Sequence, residues 1–417
     1  MMLSNRMCTS VMYALIGFPL LTNHLRHAGS LFLLIFMILG IYTFFRYYKH
    51  IAFTSEEKQI IAVFMSYFAI YMVSFLINSF IGNLQYPRLK YLDHEIRMLF
   101  WIPVYVLFSR CKIEEWVLWW GLCIGSVFAG LFACIQTLIV NADGRISGAY
   151  HAIAFGDLSL VMGFMGFCGY SYFYEKHPLW RLLPFLSLIG GVSASILSGS
   201  RGAWIAIPVL FMILLWQVSG TLKGKTTGIL LLGIMLLVIA LNKVEIIDRM
   251  RISLDELFIY TNGDVEGSVG SRFEMWKAAL TLFHQHPFWG IGPGAYQAAI
   301  WDMIWKGQFD PKIAIWHQPH SQYLSVMVDC GILGLISLLL IFFVPLFHFV
   351  KRIYQHNITQ KRVAFAGCIF IAGFMHFGIT ETIFKRNINI AFYIIMLAII
   401  YSLIQSIPNE NTTHINP

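Results

Sequence analysis

The chain has 417 residues, of which 58% are hydrophobic and only 12% charged, and its formal net charge is +8. Soluble globular chains run to about 25% charged and 45–50% apolar residues, so this composition excludes a soluble domain and points to a bilayer. The cations are scattered among short polar segments instead of forming a continuous patch, which excludes nucleic acid as a partner.

Apolar runs long enough to cross a hydrocarbon core, roughly 17–25 residues per helix, recur along the whole chain. They predict an all-α integral membrane protein with about twelve transmembrane helices, at residues 8–22, 30–45, 59–81, 97–108, 116–140, 152–174, 182–198, 203–219, 227–242, 321–349, 363–379 and 388–406. The first run follows Arg6 and lacks a small-residue cleavage site before Asn23, so it reads as a retained helix and not a signal peptide. Three regions result: spans one to nine over 1–242, one long loop over 243–320, and spans ten to twelve with a short cytoplasmic tail over 321–417.

An even number of spans puts both ends on one side. With the long loop left out, the segments on that side carry fourteen Lys and Arg against eight on the other. The bias places the termini in the cytoplasm and the long loop outside it. Seven cysteines sit singly, mostly inside apolar runs, with no CxxC pair, so neither a disulfide framework nor a thiolate metal site is expected.

The basic residues on the outer face work against the insertion signal and call for another reason. Arg97 lies in DHEIRMLFWIP, Arg145 in NADGRISGAY and Arg201 in SGSRGAW, each beside the end of a span. Any one of them fits a side chain snorkelling to lipid headgroups. Joined on one face by Arg272 of the loop, they suit an anion, because guanidinium forks match phosphate oxygens and stay charged. Asp157, inside the sixth span, is a carboxylate without an evident partner and so a functional candidate by default.

The long loop, Lys243 to Pro319, holds five of the twelve tryptophans together with Arg249, Arg251, Arg272, His284, His286 and His317. Ser271, followed three residues on by Glu274, reads as the capping-box start of an amphipathic helix with Phe273, Trp276, Leu280 and Phe283 on one face. Arg272 would then sit in the first turn, beside free backbone N–H groups. HPFWGIGPGAY, residues 286–296, reads as a rigid run of turns, and without a following GK[ST] it is no nucleotide loop. Trp301, Trp305 and Trp316 suit interfacial anchoring and stacking on sugars alike.

His320 stands where the chain re-enters the membrane, in HQPHSQYL. Two readings apply: a capping residue, or a general base whose neutral imidazole takes a proton from a sugar hydroxyl. His317 raises a metal pair, but HxxH has no third ligand at an evident spacing, and no metal is expected. Glu381, in FGITETIF at the outer end of the eleventh span, can orient a histidine or an arginine.

The ordered set DHEIRMLFWIP, GRISGAY, SGSRGAW, GSRFEMWKAAL, HPFWGIGPGAY, PHSQYL and GITETIF, from about residue 90 to 385, resembles the O-antigen ligase and polymerase superfamily. The resemblance implies a GT-C-like membrane glycosyltransferase fold with a periplasmic loop, acting at the bacterial inner membrane among its lipids, without cofactor or metal. It implies an undecaprenyl-diphosphate-linked glycan as donor and, in the ligases, lipid A-core as acceptor. By the same resemblance His320 would deprotonate the acceptor hydroxyl, while Arg201 and Arg272 neutralise the departing diphosphate. Arg145 and Arg97 are expected as outer contacts, and Glu381 and His317 complete the expected substrate-binding set. Where the family often has asparagine after the histidine, this chain has Ser321, to which no role is carried over. An O-antigen polymerase and a protein O-oligosaccharyltransferase share the machinery, and the short tail favours the ligase. A polysaccharide or lipid transporter would call for internal repeats and a charged midplane path, and neither is evident.

Overall fold

Hydrocarbon leaves no water to bond a bare backbone, so a chain this apolar must satisfy its amides within helices. The structure, a computed structural model, describes residues 3–82, 88–140, 146–148, 151–219, 226–233 and 243–406, and among them there is no strand. The chain opens with α1 (Asn5–His24), α2 (Ala28–Tyr47) and α3 (Ser55–Ile81). Next come α4 (Asp93–Met98), α5 (Trp101–Cys111) and α6 (Glu115–Val140). The middle of the chain forms α7 (Ala152–Cys168), α8 (Tyr170–Tyr174), α9 (Leu183–Leu197), α10 (Arg201–Trp204) and α11 (Ile207–Val218). The long loop contributes α12 (Lys243–Thr261), α13 (Gly267–Gln285) and α14 (Tyr296–Trp305). Three long helices follow, α15 (Gln322–Ile353), α16 (Ile358–Thr380) and α17 (Asn387–Ser406).

Among the described residues, eight helices are long and apolar enough to cross a membrane. They correspond to eight of the predicted spans. The predicted span 8–22 lies in α1, which is 20 residues long but is not among the eight. Span 97–108 is divided between α4 and α5, because Pro103 has no N–H to bond back to Leu99 and the helix restarts just before it. Span 152–174 is broken at Gly169, where α7 gives way to α8 against the Trp119 ring. Of span 227–242, residues 226–233 are helical and 234–242 lie outside the described residues.

The core is built on α7, α16 and α17, which are buried nearly all round, as a helix without a polar face must be. α7 packs on α9, α9 on α6 and α6 on α1, while α15 lies between α3 and α16. Small residues permit these close approaches: Gly163 of α7 faces Gly191 of α9, and Gly190 lies against Ser126 of α6.

The loop departs from its predicted form in an instructive way. α13 begins one turn before Ser271, whose hydroxyl donates within the helix to the Gly267 carbonyl at 2.7 Å. Glu274, the expected partner in a capping box, instead accepts from the Tyr260 hydroxyl at 3.1 Å. The start of α13 is capped from another helix, by Glu256 of α12, which accepts the Val269 N–H at 3.0 Å. Arg272 therefore falls in the second turn, away from the free N–H groups. The inward face carries Met275, Ala278, Ala279 and Leu282, small enough at its centre for α13 to lie on α15. Phe273, Trp276 and Phe283 are half-buried and Leu280 is exposed.

The glycine-rich run 286–296 repairs a break in α15. Gly331 leaves the helical region at φ 64° and ψ −155°, freeing backbone groups on either side of it. Ile291 then donates to the Val328 carbonyl at 2.8 Å, Gly292 to that of Asp329 at 3.2 Å, and Ile332 back to Pro287 at 2.8 Å. Buried amides that a helix abandons need such partners.

Candidate active site

His320 lies at the turn between Pro319 and α15, with a left-handed φ of 48°. For a residue with a Cβ this region is sparsely populated and costs about 1–3 kcal/mol unless neighbours impose it. Two neighbours do so. The Trp276 indole of α13 donates to the Pro319 carbonyl at 3.0 Å, and the Ser321 hydroxyl caps α15 by accepting the Leu324 N–H at 3.5 Å. Ser321 thus has a structural task.

The imidazole is aimed by a carboxylate from the end of the neighbouring helix, α16. Nδ1 of His320 is 3.3 Å from Oε1 and 3.4 Å from Oε2 of Glu381, the residue just past α16. Trp316 meets the ring edge-on, with centroids 5.0 Å apart. Glu381 is 1% exposed, and its Oε1 also accepts the Thr382 N–H at 3.1 Å and lies 3.4 Å from Nη2 of Arg386. Burial by itself would push this carboxyl up, but the His320 hydrogen bond and the Arg386 charge outweigh it and hold the group at about 2. An ionised Glu381 can only accept, so Nδ1 carries the hydrogen and Nε2 is left as the proton acceptor.

Arg201 opens α10. Its Nη1 donates to the Ser253 hydroxyl at 2.5 Å and the Arg249 carbonyl at 3.4 Å, and its Nη2 to the Ser268 hydroxyl at 2.8 Å, with Glu256 3.7 Å away. One guanidinium so ties α12 and α13 to the helix bundle. The next residue has to be glycine: a Cβ on Gly202 would lie 1.9 Å from Oγ1 of Thr380, the last residue of α16. Before it, Ser200 donates to Asp157 at 2.7 Å, which supplies the partner that Asp157 lacked in the sequence.

Arg272 is different. Among the described residues its guanidinium makes no hydrogen bond or ion pair. Burial pushes it below its usual value, with Glu381 opposing and Arg201 adding to the shift. Arg201, Arg272 and His320 line one cavity of about 150 Å³, together with His151, Ser268, Trp316 and Thr380. Among the described residues no carboxylate belongs to its lining. A pocket with two guanidinium groups and several hydroxyls is suited to a multiply charged anion, held beside an imidazole free to accept a proton.

Three of the predicted residues therefore meet, and Glu381 stands directly behind them. Arg97 does not join them: its guanidinium is closed on Asp93 one turn earlier, by bonds of 2.8, 3.0 and 3.1 Å, and it does not line the cavity. Arg145 lies outside the described residues. His317 points to a neighbouring cavity on the other side of its own turn. Among the described residues no three His, Cys, Asp or Glu side chains assemble as metal ligands. His151 escaped the sequence reading because it is a lone polar residue at a helix start, where it accepts the Ile153 N–H at 3.2 Å. Asp329, a carboxylate inside the apolar run of α15, carries the same sequence signal as Asp157.

Residues 185–339 match the O-antigen ligase family. That stretch contains Arg201, Arg272 and His320, whereas Glu381 lies beyond it. A curated protein of Haemophilus influenzae, described as uncharacterized, is 24% identical over 370 residues, covering 86% of this chain and 90% of its own length.

Proposed function

We propose that this chain, a membrane protein of the O-antigen ligase family by its residues 185–339, transfers a glycan from undecaprenyl diphosphate to a sugar hydroxyl of lipid A-core. The reaction takes place at the periplasmic face of the bacterial inner membrane, the side to which the distribution of Lys and Arg assigns the long loop. One observation carries the reading: a cavity with two arginines and, among the described residues, no carboxylate is bordered by an imidazole that a buried glutamate orients.

In this mechanism the acceptor hydroxyl gives its proton to Nε2 of His320 as its oxygen attacks the anomeric carbon. The bond from that carbon to the diphosphate oxygen breaks, and its electron pair leaves with the diphosphate. Attack from the face opposite the leaving group inverts the anomeric configuration. Arg272 and Arg201 neutralise the charge that grows on the diphosphate, in a site largely shielded from water where such stabilisation is worth several kcal/mol. A diphosphate is a weak base, so its departure calls for no general acid. Glu381 stays ionised throughout and stabilises the imidazolium that forms. Arg145 is left as an outer contact to the donor, and Arg97 is assigned no contact.

Deleting the gene and resolving lipopolysaccharide on a gel tests the acceptor. Loss of every O-antigen-bearing band, with lipid A-core retained, is expected. A core bearing one repeat unit would identify a polymerase, and unchanged lipopolysaccharide with an unglycosylated protein would identify a protein glycosyltransferase.

A further inference from the structure

A second cavity, of about 460 Å³, opens on the other side of the turn that carries His320. The five residues of this turn divide between the two cavities. Trp316 and His320 face the arginines, whereas His317, Gln318 and Pro319 line the second cavity. The volume is within the range of about 300–1,000 Å³ typical of small-molecule sites.

Its chemistry is unlike that of the first. Lys385 lies 3.0 Å from Glu95 and 3.3 Å from Asp329, so one buried cation is held between two carboxylates. Lys90 and Asp329 line the cavity with Lys385, and Glu95 pairs Lys385 from behind the lining, so these four charges cancel. Burial lowers His94, with Lys385 adding to it, which keeps that imidazole neutral. Several polar groups are left unused. Tyr296 is 5% exposed and lines the cavity, yet its hydroxyl has no hydrogen-bond partner among the described residues. The amides of Gln297 and Gln318, also in the lining, make no side-chain hydrogen bond among the described residues. A buried hydroxyl without a partner is costly, and a ligand that supplies the partner removes the cost.

A lining of hydroxyl, amide and carboxylate groups, whose lysines are offset by Asp329 and by Glu95 behind it, suits the donors and acceptors of an uncharged sugar. Position adds a second argument. Inverting displacement places nucleophile and leaving group on opposite sides of the anomeric carbon, and the base must touch the nucleophile. The second cavity shares the turn 316–320 with the first, so an acceptor ring held beside His317, Gln318 and Pro319 lies within one turn of the base, and its attacking hydroxyl extends past that turn into the cavity that His320 lines. We infer that the cavity lined by Tyr296, Gln297, Gln318 and Asp329 is the acceptor subsite, and that it binds a neutral sugar ring of the acceptor through hydroxyl contacts. The inference rests on the glycan-transfer reading of the neighbouring cavity.

The test uses the purified full-length protein in nanodiscs, with an undecaprenyl-diphosphate-linked glycan as donor and rough lipopolysaccharide as acceptor. Tyr296→Phe, Gln297→Ala and Gln318→Ala each remove polar groups that make no side-chain hydrogen bond among the described residues, so folding is preserved. Each is expected to raise the KM for acceptor about three- to tenfold, the worth of one neutral hydrogen bond, with the KM for donor and kcat unchanged. Arg272→Met, run in parallel, raises the KM for donor instead. If wild type transfers glycan and the three variants leave the acceptor KM where it was, or shift donor and acceptor KM together, the subsite is refuted while the transfer reading stands. If wild type transfers nothing to rough lipopolysaccharide, both are overturned.

Discussion

Nδ1 of His320 and Oε1 of Glu381 lie 3.3 Å apart although 61 residues separate the two in the chain. The contact joins the turn before α15 to the residue after α16, so packing of those two helices sets the direction of the imidazole. His320 also sits in a left-handed conformation, at φ 48°, that only asparagine and glycine adopt readily in its place. Both facts shape how the site should be tested.

His320→Asn retains the backbone conformation and removes the base. Transfer is expected to fall about 10²–10⁴-fold, the usual worth of general base catalysis, with thermal stability close to that of wild type. His320→Ala should be equally inactive and less stable. Transfer by His320→Asn at the wild-type rate, measured with lipid-linked donor, would remove the histidine from the mechanism.

Glu381→Gln tests the orienting carboxylate, and its pH dependence has a definite sign. The folded value, about 2, lies below the usual 4.5, so the stabilisation is fully present above pH 4.5 and is lost as pH falls toward 2. A shift of this size is worth a few kcal/mol. The melting temperature of Glu381→Gln in detergent should therefore lie below that of wild type at neutral pH, with a gap that narrows below pH 4.5. Transfer at neutral pH should fall about tenfold or more. A gap that widens in acid would contradict the assignment.

The two arginines should separate in their effects. Arg201 is bonded to Ser253, Ser268 and the Arg249 carbonyl, so Arg201→Ala should lower both stability, by about 1–3 kcal/mol, and transfer. Arg272 holds no such bonds, so Arg272→Met should leave the melting temperature unchanged or raised while transfer falls. Arg272→Lys retains the charge and loses the two-point fork, and a loss of transfer in that variant shows that the fork itself is needed. Equal destabilisation by Arg201→Ala and Arg272→Met would show that both are structural.

Gly202→Ala puts a Cβ against Oγ1 of Thr380. Overpacking of this kind costs about 1–3 kcal/mol, and it should shift the start of α10 and Arg201 with it. Loss of both stability and transfer is expected, with stability recovered in the double variant Gly202→Ala, Thr380→Ala, which removes the clashing oxygen. A Gly202→Ala protein with wild-type stability and transfer would show that the close contact is not required.

Much of this was already present in the order of residues. Composition alone placed the chain in a bilayer, because 58% hydrophobic residues leave no other solvent for most of its surface. The helices most apolar over a full span were located within a few residues, since their length is imposed by the membrane. His320, Arg201 and Arg272 are picked out by the resemblance that their motifs carry, and the structure brings the three to one cavity. What failed was local inference about partners. The start of α13 was assigned to Ser271 by an internal capping pattern, but Glu256 from another helix caps it a turn earlier. Arg97 is expected from the sequence as an outer contact to the substrate, yet Asp93 closes its fork. The glycines of 286–296 read as a rigid run of turns, but their spacing gave no sign that the backbone of those turns serves the break at Gly331. Which side chain faces which depends on contacts between segments far apart in the chain, and a hydrogen bond carries no trace in the spacing of either residue that makes it. For that reason only the tertiary structure could decide that Glu381 aims His320, that Arg272 is left unengaged in the fold, and that a second, charge-balanced cavity lies across the same turn.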